Sequence, residues 1–158
     1  MPAPQLPPLP DDIVDQLNGR RGGFNTLIGL RFVVVTYDEV VAEIDIDERH
    51  HQPYGLVHGG VHSAMIETLA SVGAAMNLAP LGRHTVGLEN STSFLRAVRD
   101  GTIRGTAVPL ARGKRSHVWQ VTISDSDGRA VASGRVRMIA LESGAAVAGE
   151  TVRIKAGS

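Results

Sequence analysis

The tripeptide His58-Gly59-Gly60 stands immediately before an apolar stretch that carries one acidic residue, Glu67. The stretch Val61 to Leu78 lacks proline and is rich in Ala, Met, Leu and Ile, so it reads as a long helix. The first amides of a helix have no intrahelical partners and carry the positive end of its dipole. Two glycines at that point let a ligand approach the backbone closely. A carbonyl oxygen set there would be polarised, and an oxyanion formed from it stabilised. A nearby carboxylate can then work as a general base toward water or attack the carbonyl carbon directly. The plain alternative is that Glu67 only marks the solvent face of an amphipathic helix, since perturbed carboxylates are often structural.

Glu67 is the only charged residue between Arg49 and Arg83. At 100° per residue, Met65, Leu69, Val72 and Met76 form an apolar stripe, with Ser63, Glu67, Ser71 and Ala74 opposite. A lone carboxylate in such surroundings is costly unless it is exposed, paired or functional. It also lies about two turns, roughly 12 Å, from the helix start. Within one chain that is too far for joint chemistry, so a dimer is expected in which the carboxylate of one subunit meets the helix start of another.

The elements that hold this helix can be read on either side of it. Residues Met1 to Pro10 are proline-rich and expected to lack regular structure. Asp11 or Asp12 caps a short helix through Ile13, Val14 and Leu17 that stops near Asn18-Gly19. Phe24 to Leu27 leads into a first strand, Leu30 to Tyr37. A second, Val40 to Ile46, sets Val41, Glu43 and Asp45 against Ala42, Ile44 and Ile46. A loop from His50 to Gly60 precedes the helix. Four strands follow it: Thr85 to Val98, Thr102 to Leu110, Ser116 to Ser124 and Arg129 to Leu141. Asp100-Gly101 and Asp127-Gly128 are hairpin signals. A helix inserted between strands of an antiparallel sheet must cover one face of it, which gives an α+β fold. The expected layout is an N-terminal extension over 1–24, a domain over 25–141 and a tail over 142–158, in which Thr151 to Ile154 is a stray strand.

The 158 residues suit one domain. Sixteen basic and sixteen acidic residues cancel, so no bulk attraction to nucleic acid or an acidic membrane surface is expected. There is no cysteine, which excludes disulfides, thiolate metal sites and a cysteine nucleophile. The N-terminus has neither a basic start nor an apolar run, and no stretch is expected to span a membrane. A soluble cytoplasmic protein is the default expectation.

Gln52-Pro53-Tyr54-Gly55-Leu56-Val57-His58-Gly59-Gly60, followed by Ile66-Glu67-Thr68-Leu69-Ala70-Ser71, resembles the signature of the PaaI-like hotdog thioesterases. Val86-Gly87-Leu88-Glu89 and His117-Val118-Trp119-Gln120-Val121 extend the resemblance, which covers roughly Asn25 to Leu141. It looks closest to the branch with the Arthrobacter-type 4-hydroxybenzoyl-CoA thioesterase and the 1,4-dihydroxy-2-naphthoyl-CoA thioesterases. The resemblance implies an antiparallel sheet wrapped around one central helix. It further implies dimers joined sheet edge to sheet edge, paired again into homotetramers, with sites at the dimer interface and no cofactor beyond the CoA of the acyl-CoA substrate. Carried over by motif position, Glu67 is nucleophile or general base, and Gln52 and the Gly59 amide hold the thioester carbonyl. His58 assists, Gly60 belongs to the binding site, and Ser71 orients the carboxylate or the attacking water. The segment Asn90 to Phe94 departs from the naphthoyl-CoA relatives, which have histidine where Phe94 stands. If that segment lines the acyl pocket, the acyl group is aromatic or medium-chain and not further defined.

Arg112-Gly113-Lys114-Arg115 is either a contact for the phosphates of CoA or a solvated hairpin, and Arg96 and Arg99 are further candidate cations. His58 and His62, at i and i+4, are spaced to share a metal ion, but no cysteine and no HExxH pattern joins them, so no metal is assigned. Otherwise His62 packs at a subunit interface. Asp125-Ser126-Asp127-Gly128 lacks the later ligands of a calcium loop. Ser63 and Ser71 lack a Ser-His-Asp context. Two competing functions stand beside hydrolysis: a hotdog hydratase or dehydratase, which uses a different motif, and a non-catalytic acyl-CoA binding module, which needs no carboxylate beside the carbonyl.

Overall fold

The structure is a computed structural model that describes residues 6–152. Met1 to Gln5 and the last six residues lie outside it, so the expectations for the proline-rich start and for a strand reaching Ile154 fall partly beyond the described residues. In chain order, α1 (Ile13–Gly19) and α2 (Gly22–Leu27) precede β1 (Arg31–Val35) and β2 (Val40–Asp45). The long α3 (Gly59–Leu78) leads through a short 3-10 turn to β3 (His84–Phe94), β4 (Thr102–Arg112), β5 (Ser116–Ser124) and β6 (Ala130–Leu141). A two-residue hairpin, β7 (Ala146–Val147) and β8 (Glu150–Thr151), closes the described chain.

Six strands form one antiparallel sheet in the order β1-β2-β4-β5-β6-β3. After the helix the chain returns to the far edge, so β3 bonds only to β6 and its other side is free among the described residues. Left-handed glycines at 101 and 128 make the turns before β4 and β6, as the Asp-Gly pairs predict.

The buried positions of α3 come in pairs four apart: Val61-His62, Met65-Ile66, Leu69-Ala70, Gly73-Ala74 and Asn77-Leu78. A four-residue step advances the buried stripe by about 40° each time. The stripe therefore winds around the helix, as a twisted sheet that wraps it requires. This corrects the expected faces: Ala74 is buried, Val72 and Met76 are only half-buried, and Glu67 is exposed. Trp119 of β5 lies fully buried against the one mid-helix glycine. A Cβ on Gly73 would come within 2.5 Å of its ring. Contrary to expectation, Gly59–Leu81 is long and apolar enough to cross a membrane, but its buried residues pack against the sheet.

The 24/25 boundary falls inside α2, a helix not expected from the sequence. Nor is α1 an appendage: Ile13, Val14 and Leu17 pack against the core, and the Asn18 side chain both donates to and accepts from the Phe32 backbone. The Asp12 side chain does not cap α1 but accepts from Gln16. The first strand is shorter than expected, β3 ends at Phe94 rather than Val98, and Val41 is buried.

Candidate active site

The loop before α3 is built by short-range bonds. The Gln52 amide donates to the Leu56 carbonyl, the Gly55 amide donates to the Gln52 carbonyl, and the His58 amide donates to the His50 carbonyl. His50 is fully buried; its Nδ1 accepts from the Asp47 amide and its Nε2 lies 2.9 Å from the Ile28 carbonyl. His51 Nε2 meets the Arg99 carbonyl. His58 is the N-cap of α3: its Nδ1 accepts from the Gly60 amide at 2.8 Å. The Gly60 amide is therefore used within the chain. The Gly59 amide has no hydrogen-bond partner among the described residues, so it is the donor left for a ligand.

The two glycines are needed, but the chain's own rings fill the space. A Cβ on Gly59 would lie 2.7 Å from the Phe94 ring, and one on Gly60 would lie 2.9 Å from His58 Nδ1. Phe94, at the end of β3, thus stands over the helix start. Gln52, Gly59, His62 and Phe94 line one cavity of about 360 Å³ with Leu56, Val57, Leu95, Arg96, Ala97 and Val98. Ligand pockets typically run from about 300 to 1,000 Å³, so this one is at the small end.

Glu67 belongs to a different cavity, of about 370 Å³, with Phe24, Asn25, Ala64, Thr68, Ser71 and Val72. Its carboxylate is exposed, and the Asn90 amide of β3 lies 3.5 Å from it while donating more closely, at 2.9 Å, to the Ser63 carbonyl. The expectation of a lone acid surrounded by apolar groups is met only in sequence; in the single chain Glu67 faces out beside the free edge. Ser71 shares its cavity but makes no hydrogen bond to it, its hydroxyl approaching Met138 sulfur at 3.9 Å. One wall is α2, held by Thr68 donating to Asn25 Oδ1 and by Arg21 donating to the Leu30 carbonyl. Phe24 of α2 stays exposed. The carboxylate and the helix start thus sit in separate cavities of one chain.

His62 is the site residue that sequence spacing left unresolved. It is 4% exposed, its Nδ1 is sealed without a partner, and its ring centroid lies 6.2 Å from that of Phe94. Burial pushes its imidazole below the usual histidine range, so it is neutral at neutral pH. Among the described residues no three His, Asp or Glu side chains come together as metal ligands do.

The basic turn divides. Arg112 is tied to its own chain by bonds to Asp38, Asn77 and the Tyr37 carbonyl, so the expected phosphate role does not fit it. The side chains of Arg96, Lys114 and Arg115 make no ion pair among the described residues.

A six-stranded antiparallel sheet wrapped on one long helix is a hotdog fold, here with two glycines in the first turn of the helix and a carboxylate two turns along. The family model of the thioesterase superfamily matches residues 54–132, and the chain belongs to that family, whose members hydrolyse thioesters. It is 42% identical over 121 residues to Rv1847 of Mycobacterium tuberculosis, covering 75% of this chain and 86% of that one. The solved Rv1847 structure aligns with a TM-score of 0.75. It is 37% identical over 109 residues to the proofreading thioesterase EntH of Cronobacter turicensis, covering 69% of this chain and 79% of that one. A crystal structure of a mutant of thioesterase PA1618 from Pseudomonas aeruginosa superposes with a TM-score of 0.79 at 29% identity, covering 86% of this chain and 97% of that one.

Proposed function

We propose that this protein is a homodimeric acyl-CoA thioesterase, assembled further into a tetramer, whose sites form where two β3 edges pair. The observation that carries this reading is the separation of Glu67 from Gly59 into two cavities that β3 links. Gly87 and Asn90 neighbour Glu67, and Phe94 covers Gly59. In an antiparallel pair of β3 strands related by a two-fold near the middle of the strand, the Phe94 end of each lies along the Gly87 end of the other. That pairing would bring the helix start of each chain towards the carboxylate of the other. It also pairs the backbone groups of an eleven-residue edge strand that is otherwise open.

In this reading the Gly59 amide and Gln52 hold the thioester oxygen as charge develops on it. Glu67 of the other chain takes a proton from water or attacks the carbon itself, and Ser71 orients the water. His58 keeps the helix start in shape through its cap, and Phe94 and Gly60 border the bound thioester. Arg96, with Lys114 and Arg115, meets the phosphates of CoA. The cavity of Glu67, walled by Phe24, Ala64 and Val72, takes an aromatic or medium-chain acyl group. No metal or cofactor is called for, because the amides and the carboxylate supply both halves of the chemistry. A thioester substrate and a free thiol product suit the reducing cytoplasm.

Free-thiol release from benzoyl, phenylacetyl, hydroxybenzoyl, naphthoyl and straight-chain acyl-CoAs tests this. The wild type should turn over at least one class, and Glu67→Ala should slow that reaction on the order of 100- to 10,000-fold with assembly unchanged. Wild-type turnover in a correctly assembled Glu67→Ala protein would end this reading.

A further inference from the structure

Two nearly sealed histidines lack partners among the described residues, and one of them, His62, lines the cavity of the helix start. Neither of its ring nitrogens has a hydrogen-bond partner among the described residues; Nδ1 is closed off, which leaves Nε2 for the cavity. Because Nδ1 is sealed, a ligand in this cavity can complete the imidazole only through Nε2. His62 follows Gly59 by three residues, about 4.5 Å along the helix and on the same side.

Charge decides which part of a thioester enters this cavity. Its lining includes Arg96, a cation without an ion-pair partner among the described residues. The only charged residue lining the Glu67 cavity is Glu67 itself, and its largest side chain is Phe24. The anionic CoA arm therefore belongs with Arg96 and the uncharged acyl group with Phe24. The atom that joins the CoA arm to the carbonyl held at Gly59 is sulfur.

Resting on the thioesterase reading above, we propose that His62 is a further catalytic residue that donates a hydrogen bond from Nε2 to the departing thiolate. As the C–O bond to the attacking oxygen forms, the C–S bond breaks and its electron pair goes to sulfur. Where water attacks, its proton goes to Glu67. His62 transfers no proton; its hydrogen is shared with the thiolate, which leaves as the anion and is protonated by solvent. A neutral imidazole suits this role, because it keeps a donor without a charge that would need its own counterion.

The test compares one acyl group carried on CoA and on a thiophenol, whose thiolate is less basic and needs less help. His62→Phe should lower kcat/KM for the CoA ester on the order of 10- to 100-fold, the range of one hydrogen bond to a charged group. It should lower that for the aryl thioester less than about 3-fold. His62→Gln, which keeps an N–H donor, should recover most of the CoA rate. Equal losses on both thiols, a loss that follows the acyl group instead, or no loss at all would overturn the proposal. A second readout is independent of turnover: the 15N resonance of His62 Nε2 should shift with CoA at pH 9 and not with desulfo-CoA. If the wild type cleaves no thioester, the reading of function fails. His62 is then judged by that resonance alone, and identical shifts with both ligands would reject it.

Discussion

Because Glu67 and Gly59 occupy separate cavities, two inactive variants should repair each other. Eight residues of α3 separate them, about 12 Å of rise, while a carboxylate must come within roughly 3.5 Å of the carbon or water it serves. Consider Gln52→Ala, which damages the cavity of the helix start, and Glu67→Ala, which damages the other. Each homodimer loses both of its sites: about 100- to 1,000-fold for a lost oxyanion donor and about 100- to 10,000-fold for a lost base. A heterodimer combines the intact Glu67 of one chain with the intact Gln52 of the other in one site and gathers both lesions in the second. Unfolding and refolding an equal mixture makes about half the dimers mixed, each with one good site of two. Activity should recover to about a quarter of the wild-type rate, far above either parent. Differently tagged subunits, purified as the mixed species and assayed for thiol release, should show about half the wild-type rate per dimer. Mixed dimers no more active than the parents would mean that Glu67 and Gln52 serve the same chain's site, and the shared-site argument would fail.

Other consequences can be measured directly. Gly73→Ala gains about 1 kcal/mol of helix propensity but forces a methyl to within 2.5 Å of a fully buried Trp119 ring; a net loss of about 1–2 kcal/mol in urea unfolding is expected. Gly23→Ala, with nothing within 4 Å, should instead gain a few tenths of a kcal/mol, and a stabilising Gly73→Ala would refute the packing argument. Burial, and for His117 also Arg112 and Arg83, hold His62 and His117 below the ordinary 6.5. Below that value the unfolded chain binds protons that the folded chain refuses. Stability should therefore be level above it and fall as pH drops, by up to about 1.4 kcal/mol per pH unit per histidine. Chemical unfolding at several pH values should show a shallower fall in a His62→Phe, His117→Phe double variant. Arg96→Ala should raise the KM for acyl-CoA several-fold with kcat little changed. Arg112→Ala should leave KM alone and lose about 1 kcal/mol of stability through its bonds to Asn77 and Asp38.

What the sequence made legible followed from local signals. The apolar stretch after His58-Gly59-Gly60 is α3, Asp100-Gly101 and Asp127-Gly128 are the hairpin turns, and the last three strands lie within two residues of expectation. The helix α2 was not legible, because Gly22-Gly23 reads as a breaker and Phe24 and Leu27 stay exposed, so no buried stripe marks it. Its fixtures are distant in sequence: Thr68 on Asn25, Arg49 on the Leu27 carbonyl and His50 on the Ile28 carbonyl. The loss of Arg112 as a phosphate ligand has the same origin, since its partner Asp38 is 74 residues away.

The site itself was half legible for a related reason. Composition gives the neighbours of Glu67 in sequence but not which of them turn inward, and the winding stripe of α3 turns Ile66 in and Glu67 out. The same winding carries His62 inward at the helix start, where residue spacing suggested only a metal pair or a packed surface. An exposed acid beside an open strand edge and a sealed, unpartnered imidazole beside an unused amide are complementary deficits. Neither is resolved within one chain, and apposing two copies through β3 addresses the first while bound thioester addresses the second. Full turnover in a variant kept monomeric at the β3 edge would show that Glu67 needs no second copy and serves its own chain's helix start.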